Sequence, residues 1–175
     1  MHGIIHLQLR KFLATLTTAE GLKSIYIEAG QDGKFFDATK YHPDETITAL
    51  LDVACAKLDI CREVALEEFG RFIAPNLMNT FKASIRPEWS SLDLLEHVES
   101  TIHRTVRVAN PGSKPPKLVI QRIRHDEVQI DYTSSRQMIS LGIGIIKQIA
   151  GHYNEKLSIL RSGIPDGIRL TIRRH

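Results

Sequence analysis

The sequence predicts an α+β fold: a helical first half, then a four-stranded antiparallel sheet packed against helices. Three observations carry this. In the first half apolar residues recur at three- and four-residue steps, as in Ile5, Leu9, Phe12, Leu13 and Leu16, the period of a helix with one buried face. After Lys117 the period drops to two, and Val128, Ile130 and Tyr132 alternate with Gln129 and Asp131 as on a half-buried strand. The second half then reads strand, strand, helix, strand, strand, the order of an antiparallel sheet with helices against it.

Taken in order, Ile4 to Thr17 is the first helix, and Leu22 to Ala29 a shorter one ended by Gly30. Gln31 to Lys40 is a loop and Tyr41-His42-Pro43-Asp44 a turn. Asp44 or Thr46 caps a third helix that runs to about Leu58. Glu63 to Phe72 is helical again, and Pro75 either ends that helix or begins another over Asn76 to Phe81. Beyond Arg86-Pro87-Glu88-Trp89, an amphipathic helix spans Ser90 to Val108, with Leu95, Val98, Ile102 and Val106 along its stripe. A breaker-rich loop, Asn110-Pro111-Gly112-Ser113-Lys114-Pro115-Pro116, leads into a hairpin of Lys117 to Ile123 and Glu127 to Thr133. Arg136 to Tyr153 is a helix, and Lys156 to Leu160 and Gly167 to Arg174 complete the sheet. No repeat or flexible linker interrupts the chain, which reads as one domain over 1–175, with a mainly helical lobe 1–85 and a second lobe 86–175.

Composition narrows the function classes. A chain of 175 residues buries roughly 70% of its unfolded surface, enough to fold without disulfides or structural metal. Cys55 and Cys61 lie six apart in a helical region and do not face one another, which fits a reducing cytoplasm. The net charge of +3 sits largely on Arg169, Arg173 and Arg174, with no dense basic face, so neither nucleic acid nor an anionic membrane is an expected partner. The opening residues lack a signal peptide's apolar core, and no run approaches the ~20 apolar residues that span a bilayer. No Ser-His-Asp ordering, Gly-rich phosphate loop or convincing carboxylate pair is present, so no enzyme activity is expected.

Two features point to a ligand. Tyr132-Thr133-Ser134-Ser135-Arg136 puts a phenol, a hydroxyl and a guanidinium at every second position as a strand gives way to a helix. Residues two apart share a strand face, so Tyr132, Ser134 and Arg136 suit a carboxylate or phosphate. A polar strand end meeting solvent has the same pattern. His103 falls on the edge of the apolar stripe, beside Glu99 and Val106, where a boundary histidine is the ordinary reading. The remaining histidines take that reading too. His2 and His6 share a helix face, and His97 points elsewhere from His103.

Together these residues resemble the H-NOX family, heme-based nitric oxide and oxygen sensors related to the heme domain of soluble guanylate cyclase. Tyr132, Ser134 and Arg136 match its Y-x-S-x-R signature for the heme propionates, and His103 precedes Pro115-Pro116 by twelve residues, the spacing of its iron-ligating histidine. Met1-His2-Gly3-Ile4-Ile5, Phe69-Gly70-Arg71-Phe72 and the helix with Gly142 and Gly144 are similar to other family segments. One departure is that many members carry a Trp in the second helix, where this chain has Leu22 or a neighbour.

The resemblance implies a distal helical lobe and a proximal lobe with heme between them. Heme b is the implied cofactor, since no Cys-x-x-Cys-His attachment motif occurs. It implies His103 as iron ligand, Tyr132, Ser134 and Arg136 at the propionates, Pro116 packed on the heme, and Ile5, Leu9, Ile73, Leu141 and Ile145 as apolar contacts. Oxygen-binding members carry a Tyr nine residues after the signature Tyr; here that position is Leu141, so nitric oxide and carbon monoxide are the implied ligands. The implied partner is a sensor histidine kinase or a cyclic-di-GMP or cyclic-nucleotide enzyme on a separate chain. Two other classes fit the residues alone: a heme-dependent enzyme such as a peroxidase, and a heme-free module binding another apolar carboxylate. For Gly142 and Gly144, the expected use is close backbone approach, to the cofactor or to another helix.

Overall fold

The computed structural model describes residues 1–109 and 115–175, so Asn110 to Lys114 of the breaker-rich loop lie outside the described residues. The chain forms two compact units, Met1–Phe69 and Gly70–His175.

The first unit is helical: α1 (Gly3–Leu16), α2 (Ala19–Glu28), α3 (Asp44–Leu58) and the start of α4 (Arg62–Thr80). Leu9, Phe12 and Leu13 of α1 are buried as their spacing predicts, whereas Leu16 is 39% exposed because it ends the helix. Gly3 is where α1 meets the loop before α3. Its N–H donates to the Lys40 carbonyl at 2.8 Å, and a side chain there would overlap the Asp37 carbonyl. His2 is the N-cap of α1, not a helical residue, so His2 and His6 do not pair across a turn. His6 instead stacks on Phe36 at 4.6 Å and meets His42 edge-on at 5.4 Å.

Two helix starts differ from expectation. Helix α2 begins at Ala19 because the Thr18 hydroxyl caps the Gly21 N–H at 3.1 Å. Helix α3 takes Pro43 at its N-cap without a side-chain cap; Asp44 is its first residue and binds the Met1 ammonium at 2.5 Å. Helix α4 neither ends nor restarts at Pro75 but runs through it. A proline removes one helical N–H, and here the burial of Ile73 and Ala74 around it offsets that loss.

The second unit holds the remainder of α4, α5 (Ser91–His97), α6 (Arg104–Ala109), α7 (Ile139–His152), and strands β1 (Lys117–Arg124), β2 (Glu127–Thr133), β3 (Leu157–Ile164) and β4 (Gly167–Arg174). A 3-10 turn at Lys82–Ser84 was not foreseen. The strands form one antiparallel sheet in the order β1-β2-β4-β3, the mixed helix-and-sheet class expected. Register places Tyr132 between Leu118 and Ile168, and Ile130 between Ile120 and Leu170. That inner face packs with Leu92, Leu95, Ile139 and Ile146 from α5 and α7. On the other face, Asp131–Arg169 and Glu127–Arg173 pair across β2 and β4, so most of the C-terminal positive charge is locally neutralised. The guanidinium bonds of Arg169 hold the Asp131 carboxyl below its usual range.

The predicted Ser90–Val108 helix is three pieces. Helix α5 opens on a capping box between Ser90 and Asp93, a π turn follows over Glu99–His103, and α6 continues. The Ser100 and Thr101 hydroxyls both donate to the His97 carbonyl, at 3.2 and 2.5 Å, and compete for the acceptor of the regular ladder. The backbone widens, and His103 N–H reaches back five residues to Val98 O at 2.9 Å.

Candidate functional site

His103 closes the π turn, with its side chain 17% exposed. Its Nδ1 lies 2.7 Å from Glu99 Oε2, and the other oxygen of that carboxylate accepts from Arg107 at 2.6 Å. An ionised carboxylate accepts and does not donate, so Nδ1 is the donor of this bond, and in the neutral imidazole that tautomer leaves the Nε2 lone pair for a metal. The spacing of Glu99 and His103 was visible in the sequence; the bond between them was not, because an i,i+4 pair meets only if both rotamers agree.

The frame around His103 is fixed by charge. Arg122 of β1 donates to Asp93 at 2.5 Å and to Glu96 at 2.9 Å, tying α5 to the sheet. Burial pushes the Asp93 carboxyl up, but hydrogen bonds from Ser90 and the Arg122 charge together outweigh this and hold it below its usual range. Ser91, fully buried, donates through its backbone N–H and hydroxyl to Glu155, whose other oxygen accepts from Arg174 at 2.9 Å. His97 stacks on Trp89 at 4.6 Å and gives Nδ1 to the Asp93 carbonyl at 2.9 Å, apart from the His103 pair.

The Y-x-S-x-R residues sit at the end of β2. Tyr132 is 8% exposed, Ser134 and Arg136 are half-buried, and Thr133, Ser135 and Gln137 are exposed. The strand's alternation therefore persists through the turn that follows. Arg136 is in that turn and not in a helix: its N–H donates to Ser134 Oγ at 3.2 Å, Gln137 takes φ 52, and α7 starts only at Ile139. Pro115 and Pro116, half-buried, lead directly into β1, the strand paired with β2.

The apolar candidates fall into two groups. Ile5, half-buried, and Leu9, fully buried, belong to α1 of the first unit. Ile73, Leu141 and Ile145 belong to the second unit, where α4 and α7 cross at a glycine contact. A Cβ on Gly70 would lie 2.9 Å from Ile145 N and 3.0 Å from Gly144 Cα, and closer still to the Leu141 carbonyl oxygen. Ile73, three residues beyond Gly70 on α4, is buried. For Gly144 the close approach is to a helix, α4; a Cβ on Gly142 would meet no other segment among the described residues within 4 Å.

The donor set fits an iron porphyrin: an imidazole with one nitrogen committed to Glu99 and the other without a hydrogen bond among the described residues, a cation with two hydroxyls at a strand end, and apolar side chains elsewhere. Among the described residues no His, Cys, Asp and Glu cluster forms a polydentate metal site, so a bare-ion centre has no counterpart. Among the described residues no helix is long and apolar enough to cross a membrane.

Comparison with known proteins bears on the family and the fold. No curated protein sequence matches the chain. Among solved structures, a point mutant of an H-NOX protein from K. algicida, in the unliganded Fe(II) state, superposes with TM-score 0.92 at 18% identity, covering 100% of this chain and 97% of that one. An H-NOX protein from S. oneidensis in the Fe(II)NO state gives 0.91 at 16% identity, covering 100% and 99%. A point mutant of T. tengcongensis H-NOX gives 0.84 at 17%, covering 99% and 96%. At these identities the structures establish the shared fold. The sequence model described as Haem-NO-binding matches residues 2–161, nearly the whole length, and the chain therefore belongs to the heme-NO-binding, or H-NOX, family of heme-binding gas-sensor domains.

Proposed function

We propose that this chain is a heme b sensor of nitric oxide that signals to a separate effector protein. The observation that carries this reading is His103, whose imidazole is held through Nδ1 by Glu99 so that Nε2 is available to a metal. When bound, ferrous heme supplies an iron site for a diatomic gas. His103 holds that iron. Tyr132, Ser134 and Arg136 bind the propionates, a reading supported by their lower exposure than Thr133, Ser135 and Gln137 beside them. Pro116 packs on the ring, and Ile5, Leu9, Ile73, Leu141 and Ile145 are its apolar contacts.

The ligand preference follows from Leu141. A bound dioxygen gains from a hydrogen-bond donor, nitric oxide much less, and neither Leu141 nor Ile73 nor Ile145 offers one. Nitric oxide and carbon monoxide are the ligands, and a peroxidase is disfavoured because these side chains supply no acid or base. The response is a change in the His103 segment. Helix α5 is anchored by Arg122 and Glu155, whereas the π turn is the irregular link between it and α6. A partner that binds the two positions of this segment unequally reads the signal. A histidine kinase or a cyclic-di-GMP or cyclic-nucleotide enzyme in the cytoplasm is the proposed partner.

The test is the absorption spectrum of the ferrous protein in air and with nitric oxide, together with His103→Gly. A Soret band that shifts with nitric oxide and carbon monoxide, no stable oxygen complex, and heme retained by His103→Gly only with added imidazole are the expected results. An unchanged ferrous spectrum in His103→Gly would remove His103 from the iron, and a long-lived oxygen complex would refute the ligand assignment.

A further inference from the structure

We infer that Glu99 is a positioning residue for the axial histidine: bridged between His103 and Arg107, it fixes the imidazole's tautomer and strengthens donation from Nε2. This rests on the reading of His103 as iron ligand.

The geometry has three parts. Glu99 uses one oxygen for each neighbour, at 2.7 Å to His103 Nδ1 and 2.6 Å to Arg107, so neither bond competes with the other. The widened π turn sets Glu99 and His103 more nearly one above the other than an α-helix would, and Arg107 follows one α-helical turn later. The pair is largely sheltered, with side-chain exposures of 28% for Glu99 and 17% for His103, so the charge-assisted bond is less screened than a surface pair.

The consequence is electronic as well as geometric. An imidazole whose Nδ1–H donates to a carboxylate is a more basic ligand through Nε2 than one donating to a neutral oxygen or to water. Glu99 therefore opposes loss of the His103 bond when a gas binds on the other side, and sets how readily this chain switches. Arg107 holds the carboxylate in place and moderates its pull.

Two variants separate charge from orientation. Glu99→Gln keeps an oxygen that accepts from Nδ1–H but removes the charge; Glu99→Ala removes both. In the heme-free protein, long-range proton–nitrogen correlation spectra should report the Nδ1–H form of His103 in wild type and Glu99→Gln. In Glu99→Ala they should report the mixed tautomers of a solvated ring. In the ferrous heme protein, the iron–histidine stretch should move to lower frequency in both variants. The fraction of His103 released at a fixed nitric oxide concentration should rise, and heme should dissociate on the order of 10-fold faster. An unchanged tautomer in Glu99→Ala, or an unchanged stretch in both variants, overturns the proposal. His103→Gly, run alongside, distinguishes this from failure of the underlying reading: if heme ligation survives that substitution, His103 is not the ligand, while the tautomer measurement still reports on Glu99.

Discussion

Placing a methyl group at Gly70 tests the α4–α7 crossing and, with it, the spacing of Ile73, Leu141 and Ile145. The added Cβ would sit 2.9 Å from Ile145 N and 3.0 Å from Gly144 Cα, with the Leu141 carbonyl oxygen nearer. All three are backbone atoms of α7, so no side chain can swing aside. Relief requires the helices to part by roughly 0.5–1 Å, a gap that forfeits a quarter to a half of the dispersion attraction of the atoms it separates. Overpacking of this kind costs about 1–3 kcal/mol. Against it stands the gain of about 1 kcal/mol from replacing Gly by Ala in a helix.

The balance is a net loss of about 0–2 kcal/mol for Gly70→Ala, or up to about 8 °C in Tm for a chain of this size, with three backbone contacts favouring the upper end. Gly151→Ala is the control. It lies in α7, is exposed, and its Cβ would meet nothing within 4 Å. It should raise Tm by about 1–4 °C through the unfolded chain's lost freedom. Thermal unfolding followed by circular dichroism, at matched heme content because a bound ligand raises Tm, reads both. Equal stabilisation by the two substitutions would falsify the close crossing.

Two further outcomes follow from the site and the first unit. Arg136→Ala should speed heme loss by one to two orders of magnitude, since a charge-assisted bond is worth roughly 1.5–3 kcal/mol; transfer of heme to an acceptor globin measures it, and an unchanged rate would argue against the propionate clamp. His6 is fully buried with neither ring nitrogen hydrogen-bonded among the described residues, and burial first, then His42, lowers its pKa to about 4. Its folded pKa is thus below the unfolded value of about 6.5, so its share of stability is complete above that value and is lost as pH falls toward about 4, by at most about 3 kcal/mol. Urea unfolding of His6→Phe should lack that part of the acid decline, and parallel pH curves for variant and wild type would exclude His6 as its source.

What the sequence revealed and what it concealed divide along a physical line. The sheet was legible because period two allows one solution: Val128, Ile130 and Tyr132 must share the buried face, and the polar residues between them must not. The π turn was not legible, because hydroxyl back-bonding by Ser100 and Thr101 changes the backbone without disturbing the apolar spacing of Leu95, Ile102 and Val106. Pro75 misled for the opposite reason. It is a strong local signal that burial of Ile73 and Ala74 overrides. Helix α7 begins three residues later than its periodicity implied, since Ser134 Oγ holds the Arg136 N–H and Gln137 turns left-handed before the helix can start.

The same line runs through the site. Residue types that suit iron and propionates were visible one by one, because each is a matter of chemistry and short spacing. Relations between them were not. Glu99 stood in the sequence as a neighbour of His103, and only the geometry makes it a bridge to Arg107. Gly144 was expected to make a close backbone approach, but only the crossing identifies Gly70 as its counterpart. Charge shows the point most directly. The basic C-terminal strand looked like an excess, yet Arg169, Arg173 and Arg174 are each matched by a carboxylate from β2 or the α7–β3 turn. A basic segment therefore says little about partners until its cross-strand neighbours are known, whereas a histidine four residues from a glutamate on a sheltered helix face already names the bond to measure.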